Sequence, residues 1–117
     1  DSSNWNYCSL EDVKKNFQIN QIETKNLELI KGKVENTLQN KKNIPKQISI
    51  LKLDTCLYDS TKIELEILFS RLQTGGILIV DNYANYYGVR DAVKEFFINK
   101  NFKLKFDKLS GQIIVNK

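Results

Sequence analysis

Two short apolar runs, Ile48–Leu53 and Gly76–Val80, each end on an acidic residue, Asp54 and Asp81. Each run has the length and content of a buried strand. A helical pattern lies between them, capped by Asp59 or Ser60 and running to about Leu72. Thr74-Gly75-Gly76 stops it, as glycine does just past a helix end. Val89, Ala92, Val93, Phe96 and Phe97 recur at helical spacing and predict an amphipathic helix. Lys103–Leu109 and Gln112–Asn116, joined at Ser110-Gly111, predict an antiparallel hairpin. Upstream, Ser9-Leu10-Glu11-Asp12 fits a capping box, and the helix it opens runs to about Phe17 with Leu10, Val13 and Phe17 on one face. Leu27–Ile30 reads as a short strand ending at Gly32, and Lys33–Gln39 as a short helix. Asn40–Gln47 is a polar connector holding Pro45, and Asp1–Tyr7, with Trp5, reads as a loop. The order is α-β-α-β-α-β-α-β-β, an α/β chain whose last hairpin follows parallel units.

A strand–helix–strand unit gives parallel strands with their carboxyl ends on one edge of the sheet. Asp54, Asp81 and Asn82 therefore converge where open α/β sheets bind ligands. Three oxygen-bearing side chains there match what Mg²⁺ prefers. The plainer reading of the same residues is that strand-end aspartates cap a following turn, and that Asn82 is a turn residue.

Composition narrows the chemistry. At 117 residues the chain is one domain at most, and 41% apolar residues suffice for a modest core. There is no histidine, which excludes His-based zinc sites, Ser–His–Asp triads and His general bases. Two cysteines, Cys8 and Cys56, without a spacing signature point to a reducing, cytoplasmic setting. No apolar run approaches membrane-spanning length. The net charge of +4 comes mainly from scattered lysines that alternate with acids. That reads as a solvated surface, without the aromatic-interleaved stripe of a nucleic-acid binder. The sequence has no methionine, so Asp1 is expected not to be a native start, and the chain to be the C-terminal part of a longer one.

LKLDTCLYDST, LQTGGILIVDNY and GVRDAVKEFF together resemble the macrocin O-methyltransferase (TylF-type) family. SLEDVKKNF and KGKVENTL, upstream, look like further segments of it. The resemblance runs from about Ser9 to Lys117 and implies a Rossmann-like class I methyltransferase sheet. Such a sheet is mostly parallel, ends in an antiparallel hairpin whose last strand inserts between the two before it, and here lacks its first two strands. It also implies S-adenosylmethionine as methyl donor, Mg²⁺ as helper and a small-molecule sugar or diol hydroxyl as acceptor. Carried over, the metal positions are Asp54, Asp81 and Asn82. Cys56 stands where the family places its general base; free thiols are mostly protonated at pH 7 and are poorer bases than carboxylates. Val34 replaces an aromatic of the family pattern. No segment matches the family's glycine-rich cofactor loop.

Other positions keep two readings. Cys56 is a base position or a small buried hydrophobe. Tyr83, Tyr86 and Tyr87 line an acceptor pocket or cover the sheet edge. Arg90, near a helix start, makes a structural ion pair or touches acceptor. The alternative to an enzyme is a non-catalytic, methyltransferase-like binding or assembly module. With the first strands absent, Ile48–Leu53 has an unpaired edge, which predicts a homodimer or an oligomer with Leu27–Ile30 swapped.

Overall fold

A computed structural model describes residues 8–117, so the loop expected over Asp1–Tyr7, with Trp5, lies outside the described residues. The chain divides into two compact units, one ending at Gly32 and one spanning Lys33–Lys117.

In the first unit, helix α1 (Leu10–Ile19) opens on the expected capping box. Ser9 Oγ accepts from the Asp12 backbone N–H at 3.1 Å, and Asp12 Oδ2 accepts from the Ser9 N–H at 3.1 Å. Two of the helix's orphan donors are thereby satisfied. Leu27–Ile30 is not the expected strand. A strand needs a neighbour for its backbone groups, and no described segment pairs with this one. Leu27 and Leu29 instead line a shallow groove with Leu10 and Phe17.

The second unit carries the sheet. A one-turn helix α2 (Val34–Thr37) precedes strand β1, which spans Ile48–Leu53 as expected. Helix α3 (Tyr58–Leu68) starts earlier than expected: its N-cap is Leu57, with no side-chain cap. Asp59 lies in the first turn, where a negative charge suits the helix dipole. The Ser60 hydroxyl bonds Glu35 instead of capping. The helix also ends earlier, in a 3-10 turn at Phe69–Arg71, and strand β2 then runs over Leu72–Val80. Thr74-Gly75-Gly76 therefore lies inside a strand and is not the helix stop. Its glycines serve a bulge. Ile48 pairs with Leu72 and Ile50 with Ile77, so β2 advances five positions while β1 advances two. Gly75 takes φ +81°, and a Cβ on Gly76 would stand 2.8 Å from the Gln73 carbonyl oxygen. A glycine pair thus reads alike as helix stop or bulge, and burial of Leu72 against β1 decides between them.

Helix α4 (Tyr87–Phe97) buries Val89, Ala92, Val93 and Phe97, the face its periodicity predicted. Strands β3 (Leu104–Phe106) and β4 (Ile113–Asn116) form the expected hairpin. The sheet order is β1-β2-β4-β3, with β1 and β2 parallel and β4 antiparallel to both its neighbours. This is the mixed α/β sheet expected, with its last strand inserted.

One face of the sheet supplies Leu51, Leu53, Leu78, Val80, Ile113 and Val115 to the core, against Leu65, Phe69, Val89, Val93 and Phe97. Phe69 is the hub, meeting Phe96, Phe97 and Phe102 edge to face at 5.2–5.4 Å between ring centres. Each such pair adds about 0.5–1.5 kcal/mol beyond area burial. The far edge of β1 has no strand partner among the described residues, and Ile50, on the face opposite Leu51 and Leu53, is 67% exposed.

Candidate functional site

Adjacent parallel strands put the ends of β1 and β2 side by side, and the Asp81 N–H donates to the Leu53 carbonyl at 2.8 Å. The edge is thus closed by one backbone bond, with Asp54 and Asp81 flanking it. The expected convergence of Asp54, Asp81 and Asn82 holds. Asn82 Nδ2 donates to Asp54 Oδ1 at 3.1 Å, and the Asn82 backbone N–H donates to Asp81 Oδ1 at 2.9 Å. Lys52 Nζ reaches Asp54 Oδ2 at 3.0 Å and Asp81 Oδ2 at 2.9 Å. All four carboxylate oxygens of the pair therefore have a partner.

Charge follows this geometry. The bond from Lys52, then the Asn82 N–H, holds the Asp81 carboxyl below its ordinary range. Asp81 and then Asp54 hold the Lys52 ammonium above its own. Asn82 sits at φ +59°, in the left-handed region that asparagine tolerates better than most residues. From there its carbonyl accepts the N–H groups of Asn85 and Tyr86, which turns the chain into α4.

The neighbouring residues divide. Cys56 is half-buried with its Sγ 3.7 Å from Asn82 Nδ2, and a bond with Cys56 pushes the Tyr86 phenol up. Tyr83 packs towards the core, 6.0 Å from the Phe106 ring, while Tyr87 is exposed. Arg90 departs from the expected ion pair. Its Nη1 donates to the carbonyls of Tyr83 at 3.2 Å and Ala84 at 2.5 Å, and its guanidinium lies 4.3 Å from the Tyr87 ring centre. The loop before α4 offers free carbonyls there, and no described carboxylate forms a salt bridge with it.

Two features escaped the sequence reading. Lys52 is one; it lies two positions before Asp54, hence on the same face of the strand, and that spacing was the available signal. The other is Glu64, 6% exposed, whose Oε2 accepts from the Thr55 hydroxyl at 2.8 Å. Burial pushes the Glu64 carboxyl up, partly offset by that bond. A glutamate beside Leu65 on the inner side of a helix was its signal. The bond ties the loop between Asp54 and Cys56 to α3.

Among the described residues no three His, Cys, Asp or Glu side chains cluster as a metal site. The edge offers two carboxylates and a carboxamide. The carboxylates fit a hard cation, since Asp54 Oδ2 and Asp81 Oδ2 already converge on one ammonium nitrogen. Asn82 presents its amide nitrogen to Asp54, so acting as an oxygen ligand would require the amide to turn. The methyl donor finds no comparable fit. Gly75-Gly76 lies at the opposite end of β2 from Asp81, and the space beside Gly88 is filled by Tyr58.

Residues 2–114 match the family model described as Macrocin-O-methyltransferase (TylF). The chain is 33% identical over 87 residues to 8-demethyl-8-(2,3-dimethoxy-alpha-L-rhamnosyl)-tetracenomycin-C 4'-O-methyltransferase of Streptomyces olivaceus, covering 74% of this chain and 32% of the relative. It is 28% identical over 110 residues to demethyldecarbamoylnovobiocin O-methyltransferase of Streptomyces niveus, covering 93% and 38%. The chain thus spans about a third of the length of these curated relatives. Among solved structures, the O-methyltransferase NovP superposes with a TM-score of 0.82 at 26% identity, over 93% of this chain and 45% of that one. A TDP-rhamnose 3'-O-methyltransferase of calicheamicin biosynthesis shares the fold, with a TM-score of 0.60 at 22% identity over 75% and 40%. With its four-stranded mixed sheet and a match over nearly its whole length, the chain belongs to the macrocin O-methyltransferase family.

Proposed function

We propose that the protein carrying this chain is an O-methyltransferase that moves a methyl group from S-adenosylmethionine to a sugar or diol hydroxyl, assisted by Mg²⁺. The observation that carries this reading is the pair Asp54 and Asp81, brought by adjacent parallel strands to one cation position in a chain of this family. In this reading Asp54 and Asp81 hold the metal, with Asn82 beside them. A bound divalent ion lowers the pKa of an oxygen it touches and orients it. This chain's own residues supply the acceptor side. Tyr87, exposed and stacked on Arg90, and Tyr86, beside Cys56, present flat apolar faces and hydroxyls at the same edge. Cys56 occupies the base position without a carboxylate's basicity. The seat of the methyl donor is not assigned to these residues.

The test is transfer of labelled methyl from S-adenosylmethionine, by the whole protein, to a panel of rhamnosides and related glycosides. Chelation and Asp81→Asn are each expected to abolish transfer. Transfer that survives both would remove the metal from the reading.

A second reading is a non-catalytic binding or assembly module. It is favoured by Cys56 at the base position and by the ammonium of Lys52 between the acids. That reading predicts no transfer to any glycoside, with or without added Mg²⁺.

A further inference from the structure

We infer that Lys52 is a built-in counter-cation of the Asp54–Asp81 pair, a latch that a divalent ion must displace and that sets how tightly this edge takes one. The inference rests on the metal reading proposed above. Lys52 and Asp54 share one face of the strand, and the four-carbon stem carries the ammonium to the open end of the sheet. There one nitrogen bonds both acids, at 3.0 Å and 2.9 Å.

The distribution of partners defines what an incoming ion must break. Asp54 Oδ1 and Asp81 Oδ1 are held by the side chain and the backbone of Asn82. Both Oδ2 atoms are held by Lys52, and the Gln112 side chain adds a weaker contact to the Asp81 carboxyl. The two acids carry two negative charges, and Lys52 cancels one of them. An ion taking the Oδ2 atoms therefore meets a half-neutralised pair and must drive a like charge away. The lysine side chain is 48% exposed, with solvent beside it to receive the displaced ammonium, so it acts as a competitor and not as a block.

A latch and a strut predict opposite signs. If Lys52 merely braces the acids, removing its charge lets them drift apart and weakens ion binding. If it competes for the Oδ2 atoms, removing its charge strengthens binding. Exposed ion pairs are individually weak, so the expected gain is modest, roughly tenfold.

The experiment is Mn²⁺ titration of the intact protein by water-proton relaxation enhancement, with circular dichroism to verify folding. Lys52→Met keeps the length of the stem and removes the charge. It is expected to lower the Mn²⁺ dissociation constant roughly tenfold, while Lys52→Arg stays near wild type because it keeps a competing cation. Asp81→Asn is expected to abolish enhancement in both the wild-type and the Lys52→Met background, which assigns the signal to this edge. Should Lys52→Met fail to fold, Lys52→Gln carries the same sign test. Equal or weaker binding in the charge-free variant would overturn the latch and leave the metal reading standing. Absence of Asp81-dependent binding in every variant would overturn both.

Discussion

Replacing Gly88 by alanine sets two effects of opposite sign against each other at the junction of α3 and α4. Gly88 is the second residue of α4, and alanine is preferred over glycine in a helix interior by about 1 kcal/mol. The gain is smaller in a first turn, where the helix frays. Against it stands a close approach. A Cβ on Gly88 would lie 2.9 Å from the Tyr58 backbone nitrogen and 3.2 Å from Tyr58 Cβ. Tyr58 begins α3, so the nearest atom is backbone and cannot rotate away. The two helices must separate by a few tenths of an ångström, and overpacking of this kind costs about 1–3 kcal/mol. Sterics therefore win, and with a first-turn helix gain of about 0.5 kcal/mol Gly88→Ala is expected to destabilise by about 0.5–2.5 kcal/mol. Urea unfolding followed by far-ultraviolet circular dichroism measures it. The site should feel the same shift, because Arg90, two residues on, anchors the loop after Asn82 through the Tyr83 and Ala84 carbonyls. A variant as stable as wild type, or more so, would refute the steric argument and leave helix propensity as the governing term.

Asn82→Ala forces an ordinary residue into the left-handed region and should cost about 1–2 kcal/mol, whereas Asn82→Gly keeps the backbone and loses only the side-chain bond to Asp54; equal unfolding midpoints for the two would show that φ is not the constraint. Glu64 has a raised pKa in the folded state, so the stability it contributes is present below its unfolded pKa and lost as pH rises through the folded one. Glu64→Gln, still able to accept from Thr55, should therefore gain stability relative to wild type on going from pH 4 to pH 7.5, and a pH-independent difference in denaturation midpoint would count against burial as the cause. The edge of β1 that has no strand partner among the described residues is expected to make Asp1–Lys117 on its own a homodimer or larger assembly, which Ile50→Lys should dissociate in light scattering; a monomer at high micromolar concentration, unchanged by the substitution, would dispose of that idea.

The strand and helix cores were legible because burial and period coincide in them. Ile48–Leu53 and the face of α4 are read directly from apolar spacing. The failures have a common cause, which is that a local signal was overruled by a partner distant in sequence. Leu27–Ile30 has strand-like residues and no described neighbour to pair with. Gly75-Gly76 has the chemistry of a helix stop, yet Leu72 is already paired with Ile48. Ser60 has the chemistry of a cap and bonds Glu35 instead. At the site, the two acids and Asn82 were legible because each follows a strand. Lys52 was not, because its spacing to Asp54 gives the shared face but not whether the ammonium points to solvent or to the strand end.

The insertion of β4 between β2 and β3 has a consequence for how this fold closes. Among the described residues β4 is the only bridge between β3 and the rest of the sheet, and it follows the other described strands in sequence. Until Ile113–Asn116 arrives, one side of β2 is bare and β3 has nothing to join. Local pairings can form early, since β1, α3 and β2 are contiguous, but the pairing that completes the sheet spans the whole of α4 and the hairpin. Pairings of that separation are slow, because the loop must close before the contact repays it. Until that closure the bare side of β2 stays exposed, so Ile113–Asn116 govern how long a sticky edge lasts during folding. Loss of four residues there would open the sheet in the middle, a harsher outcome than the loss of any outer strand.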